Sequence, residues 1–158
     1  MLGIDRLLQD IGWLQNQRVG LLSNQAALTS TRQPTLETLW PYLSLLLSPE
    51  HGFSGLEEDA TPVADTCLNG LRVLSLYGSR RKPDLEALGS IDTLIVDLPD
   101  VGVRCYTYAT TLALTLEVAA KAGTRVVVCD RPNPLGPQVD GPLLEAEQRS
   151  FLGYLPLP

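Results

Sequence analysis

The chain has 158 residues, 44% of them apolar, and a formal charge of −6, which suits one domain with a full hydrophobic core and opposes wholesale disorder. With a pI near 4.7 it lacks the basic face that nucleic acid or an anionic membrane requires, and no apolar run approaches the roughly 20 residues of a membrane span. Cys67, Cys105 and Cys129 are odd in number and stand in neither C-x-x-C nor metal-ligand spacing, so reduced thiols are expected rather than a disulfide framework or a zinc site.

The opening stretch LGIDRLLQDIGWL carries acids and lacks both a basic start and a small-residue cleavage site, so it does not read as a signal peptide. A cytoplasmic protein, or an exported one whose leader has been removed, is expected. RVGLLS (18–23) is the first strand. PTLETLWPYL follows as a short helix, with Pro34 in its first turn and Pro41 at its early end. LSLLLS (43–48) is the second strand and runs into SPEHGF, which holds the only histidine, His51, beside Glu50. LRVLSLY (71–77) is the third strand. The cluster Arg80, Arg81, Lys82 reads as a solvated loop, and KPDLEAL as a short helix opened by Pro83. DTLIVDL (92–98) is the fourth strand. The long helix is YTYATTLALTLEVAAKAG: Ala109, Leu112, Ala113, Leu116, Ala119 and Ala120 follow the 3.6 period, Lys121 lies in the last turn and Gly123 supplies the stop. TRVVVCD (124–130) is the fifth strand. Half of the twelve prolines then fall after Arg131, so the remainder is mostly irregular, with one turn of helix around LLEAEQRS. That ending reads as a single domain, 1–158, cut from a longer chain.

Alternation of strands and helices over short links gives an α/β fold. The strands are continuous apolar runs, the pattern of a Rossmann-like open, mostly parallel sheet with helices on both faces. Strand order is not readable from the sequence. The distinctive polar residues nevertheless fall together, just after the carboxyl ends of the strands: Asn24 and Gln25, then Glu50 and His51, Tyr77, Asp97 and Asp100, and finally Asp130, Arg131 and Asn133. In an open parallel sheet these ends share one edge, where ligands bind at a switch point. Each signal has a plain structural account: a glycine turn at PEHGF, Asp100 at the helix start paired with Arg104, Tyr106 and Tyr108 as packing aromatics, a rigid turn with an Asp–Arg pair in DRPNP. One shared site explains all of them at once.

Cofactor motifs are missing where they would be needed. LLSNQAALTS stands after the first strand in place of G-x-G-x-x-G, and neither G-x-x-x-x-G-K-[ST] nor G-x-S-x-G occurs. No cofactor is expected. A metal site from His51, Asp97, Asp100 and Asp130 has no diagnostic spacing.

The ordered motifs GLLSNQA, SPEHGFSG, SLYG, DVGVRCYTY and DRPNPLG…GP resemble the N-terminal domain of the NamZ-type exo-β-N-acetylmuramidases, the YbbC-like family, from about Gly3 to Pro158. The resemblance implies a Rossmann-like domain, a smaller C-terminal domain beyond this chain, and a catalytic cleft between the two. It further implies release of N-acetylmuramic acid from non-reducing ends of peptidoglycan fragments, with Glu50 as the leading catalytic residue and His51 beside it. A single domain of that pair is expected to be weakly active or inactive by itself. Two positions depart from the family pattern: Pro99 stands where Gln is usual, removing a side-chain amide, and Cys105 stands where an aromatic is usual.

Such hydrolysis needs a proton for the departing oxygen and stabilisation of an oxocarbenium-like centre. Glu50 is the expected acid, protonated near neutral pH through burial; a cationic His51 would oppose that, so His51 is expected neutral or turned away. Asp97, Asp100 or Asp130 would activate water, or orient the 2-acetamido group of the sugar for substrate-assisted attack. Arg104 or Arg131 offers a fork for the lactyl carboxylate, and Tyr77, Tyr106 or Tyr108 a stacking face or hydroxyl. A non-catalytic carbohydrate-binding domain and a metal-dependent hydrolase are the competing classes.

Overall fold

A computed structural model describes residues 1–49, 66–78 and 80–158. Among them six strands form one sheet: β1 (Val19–Ser23), β2 (Leu43–Ser48), β3 (Thr66–Leu68), β4 (Leu71–Ser75), β5 (Thr93–Asp97) and β6 (Arg125–Val128), in the order β3-β4-β2-β1-β5-β6. Every pairing is parallel except β3 with β4. The five expected strands are all present: the second has its expected bounds and the other four are trimmed by one to three residues. β3 is an addition: its three residues pair antiparallel with the outer flank of β4 across Asn69 and Gly70, both at positive φ, a tight hairpin too short to leave a periodic signal.

Side-chain alternation along the strands divides the core in two. Leu22, Leu45, Leu47, Leu74, Leu94 and Val96 face one layer, with Ala87 and Leu88 of α3 (Leu85–Gly89) and Val118 and Ala119 of α4 (Thr107–Ala122). Val19, Leu21, Leu46, Val73 and Ile95 face the other, with Ile4 and Leu7 of α1 (Gly3–Gln9), Leu14, and Leu39 of α2 (Thr35–Leu39). Helices therefore cover both faces, as the apolar strands require. α1 was not anticipated, since LGIDRLLQ reads by composition only as a non-leader. It is anchored through its first residue: Gly3 N–H donates to the Asp130 carbonyl at 2.7 Å, and a Cβ on Gly3 would strike the Cys129 and Asp130 backbone.

The helix ends differ from expectation in instructive ways. Pro34 is the N-cap of α2 rather than a residue of its first turn, and Pro41 lies in a 3₁₀ turn, Trp40–Tyr42, that carries the chain into β2. α3 is opened by Asp84, which accepts from Ala87 N at 2.6 Å, one residue after Pro83. α4 ends as expected on Gly123, left-handed at φ 73°. Its buried face follows the alanine and leucine stripe only in part: Ala119 is buried and Leu112 packs half-buried against the core, but threonines supply much of the rest. Thr107, Tyr108, Thr110, Thr111, Thr115, Val118 and Ala119 are buried, while Leu116 is 40% exposed. Threonine tolerates this because its hydroxyl can bond within the helix, as Thr115 Oγ1 does to the Thr111 carbonyl at 2.7 Å; the methyl then packs like a small apolar group. The expected helical turn near the end of the chain is the 3₁₀ segment Ala146–Gln148.

Candidate active site

In chain order the parallel strands run third, second, first, fourth, fifth across the sheet. The order reverses between β1 and β5, and the crevice at their carboxyl ends is the place where such sheets take ligands. Ser23 and Asp97 pair across this seam, so β1 and β5 end flush. Alternation puts Asp97, a member of this pair, on one face and Asn24, the next residue after β1, on the other.

On the α1/α2 face lies a buried ion pair. Asp97 is fully buried. Its carboxylate accepts from Arg131 Nε at 2.6 Å and Nη2 at 2.8 Å, and from Thr35 Oγ1 at 2.5 Å. Arg131 Nη2 also reaches the Leu28 carbonyl at 2.9 Å, and Ser23 Oγ donates to the Asp97 carbonyl at 2.9 Å. This network joins the end of β5, the loop after β6, the loop after β1 and the start of α2. A two-point Arg–carboxylate pair holds position and angle together. The Asp–Arg pairing foreseen within DRPNP is thus made by Arg131 with Asp97 instead. Cys129 sits close by, where burial and then the Asp97 charge push its thiol up to about 12, so it stays protonated and unreactive at neutral pH. Cys67 and Cys105 are exposed, and all three are free thiols.

On the α4 face, Asn24 and Tyr108 are each 5% exposed. Asn24 Nδ2 donates to Tyr108 Oη at 2.7 Å, while Asn24 Oδ1 accepts from Ala26 N at 3.1 Å. The Tyr106 ring stands 4.7 Å from that of Tyr108, tilted by 59°.

Beyond the seam a cavity of about 280 Å3 opens between the β5–α4 loop and the end of the chain, lined by Asp100, Gly102, Arg104, Asn133, Asp140 and Tyr154 among others. Asp100 does not pair with Arg104. Its Oδ1 accepts from Gly102 N at 2.6 Å, whereas Arg104 Nη1 donates to the carbonyls of Pro142 at 2.6 Å and Leu157 at 2.8 Å. Asn133 closes a turn, accepting from Leu135 N at 2.9 Å on its side chain and from Gly136 N at 2.9 Å on its carbonyl. The β5–α4 and post-β6 loops meet where Gly102, at φ 79°, lies against the Asn133 amide; any Cβ there would overlap it. Gly102→Ala is therefore expected to cost about 1–3 kcal/mol of stability, through both the left-handed backbone and the collision. Denaturant unfolding of the variant measures that loss.

Not every anticipated residue joins this centre. Asp130 is exposed at the end of β6, and Tyr77, half-buried after β4, is two strands from β1, or about 10 Å at ordinary strand spacing. Glu50 and His51 lie outside the described residues, two and three positions beyond the end of β2. Among the described residues no three His, Cys, Asp or Glu side chains come together as a metal site, and no helix is long and apolar enough to cross a membrane. Sequence reasoning missed Thr35 and the cavity lining supplied by Asp140 and Tyr154. Thr35 follows a proline and lies at the sheet's carboxyl edge, a signal that was available; the proline-rich tail has no periodicity to read.

Residues 19–158 match the family model described as exo-β-N-acetylmuramidase NamZ, N-terminal. The chain is 38% identical to the peptidoglycan β-N-acetylmuramidase NamZ of Bacillus subtilis over 99% of its own length, and spans 40% of that relative. It also superimposes on two Bacteroides fragilis crystal structures of DUF1343 family proteins. One has a TM-score of 0.85 at 34% identity, covering 99% of this chain and 41% of that one; the other has 0.81 at 32%, covering 100% and 42%. With the family model matching all six strands and the seam between β1 and β5, the chain belongs to the NamZ exo-β-N-acetylmuramidase N-terminal family.

Proposed function

We propose that this chain forms the substrate-binding edge of a glycoside hydrolase that releases N-acetylmuramic acid from non-reducing ends of peptidoglycan fragments. The observation carrying this reading is the alignment of 99% of this chain with 40% of the Bacillus subtilis muramidase, in a chain whose polar side chains gather at the crevice of a parallel sheet. The relatives are more than twice as long as this chain, which supports a catalytic cleft shared with a further domain. Glu50 is the proton donor in this reading, with His51 its neighbour. Asp97 is already engaged by Arg131 and Thr35, which favours Asp100, lining the cavity, as the carboxylate that activates water or orients the acetamido group. Arg131 has likewise committed Nε and Nη2. Arg104, which lines the cavity and holds the tail only through Nη1, keeps one planar edge for the lactyl carboxylate.

The direct test is release of N-acetylmuramic acid from muropeptides by the complete protein; absence of the free sugar would refute the reading. Arg104→Ala in that protein is expected to weaken muramic substrates about tenfold more than glucosamine analogues, which lack the carboxylate. Equal losses on both would remove Arg104 from the carboxylate role.

A further inference from the structure

The Asn24–Tyr108 pair has a fixed hydrogen-bond polarity. The Ala26 N–H can only donate, and it donates to Asn24 Oδ1; the opposite, Nδ2 side of the amide must therefore face Tyr108 Oη. An amide nitrogen cannot accept, so the Tyr108 hydroxyl serves as acceptor toward Asn24 and its own proton is forced to point away. Among the described residues that proton has no acceptor, although Tyr108 is buried to within 5%. A nearly buried donor left unsatisfied is costly in a structural role. It is a natural expense where a ligand oxygen completes the bond. The location agrees: Asn24 is the first residue beyond β1, at the strand-order reversal, and the tilted Tyr106 ring packs against that of Tyr108.

We propose that Tyr108 donates a hydrogen bond to an acceptor oxygen of the bound saccharide, with Asn24 as the positioning residue that aims the proton. This deepens, and rests on, the muramidase reading. The bond is made from a rigid phenol on α4, with no reorganisation when the sugar arrives, so its contribution is to binding and orientation rather than to proton transfer.

The test uses the complete protein with Tyr108→Phe, Asn24→Asp and the double variant, assayed for N-acetylmuramic acid release. Tyr108→Phe deletes the donor and is expected to lower kcat/KM roughly tenfold. Asn24→Asp is the sharper probe. Its ionised carboxylate still accepts from Ala26 N, but it now also accepts the phenol proton and withdraws it from the substrate. The expected result is a comparable loss wherever the introduced carboxyl is ionised, recovering as pH falls and the protonated carboxyl donates to Tyr108 Oη as the amide did. The double variant should lose no more than either single one. A purely structural bond predicts the reverse: Asn24→Asp would retain wild-type kcat/KM at every pH. That outcome, or wild-type activity in Tyr108→Phe, or additive losses, would overturn the proposal. Failure of the muramidase reading is a separate result, visible as no turnover in the wild-type protein. In that case titration of wild-type and Tyr108→Phe protein with N-acetylmuramic acid decides, equal affinities or no binding to either counting against Tyr108.

Discussion

Glu50→Gln in the complete protein is expected to reduce sugar release by about 10²–10⁴-fold, the usual contribution of a positioned general acid. Glutamine preserves the size and much of the hydrogen bonding of the side chain but has no proton to deliver to the departing glycosidic oxygen. Substrate affinity should change little, so the loss falls on kcat, and turnover within a few-fold of wild type would remove Glu50 from the acid role. Substrates with an activated leaving group, which need little protonation, should recover part of the lost rate. The first-formed product anomer, read by NMR, then distinguishes the partners of Glu50. Inversion requires a carboxylate that activates water, whereas retention is the outcome of attack by the acetamido group or by a protein nucleophile.

The second large effect is on stability. Arg131→Ala should destabilise the fold by about 3–5 kcal/mol, because it leaves the Asp97 carboxylate buried without its counter-ion. Asp97 is fully enclosed and Arg131 only 14% exposed, so water cannot easily take the missing partner's place. Replacing both members with apolar residues, Asp97→Leu with Arg131→Met, should recover much of that loss, since no unpaired charge then remains; Thr35 Oγ1 would still lose its acceptor. Urea midpoints of the two singles and the double variant measure this. A loss below about 1 kcal/mol for Arg131→Ala would show that the pair is not what holds the four segments together. In activity assays Arg131→Ala should affect muramic and glucosamine substrates alike, in contrast to Arg104→Ala, because its guanidinium is engaged with the protein.

The strand positions and the common edge were legible because both follow from short-range rules: buried parallel strands are continuous apolar runs, and residues after them emerge together. The strand order was not, since nothing local distinguishes β2 from β5 as the neighbour of β1. Residue roles at the edge were harder still. Asp97 and Asp100 look equivalent in DLPD, yet Asp97 is the last residue of β5 and turns inward to Arg131, while Asp100 is in a loop bonded to Gly102. A three-residue step therefore separates a buried structural anion from one that lines a cavity. The same limit hid part of the inner face of α4, where threonines read as polar but pack as small apolar groups once their hydroxyls bond along the helix.

With Ser23 and Asp97 flush on one side of the sheet, the following residue Asn24 turns to the other, and this separates two sets of side chains in space. The face with Asp97, Arg131 and Thr35 keeps the loops in place; the face with Asn24, Tyr108 and Tyr106 is the one we propose meets a ligand. A change of stability on the first side need not alter recognition on the second. If that proposal holds, the sheet itself is the partition: stability can be altered from one side and recognition probed from the other.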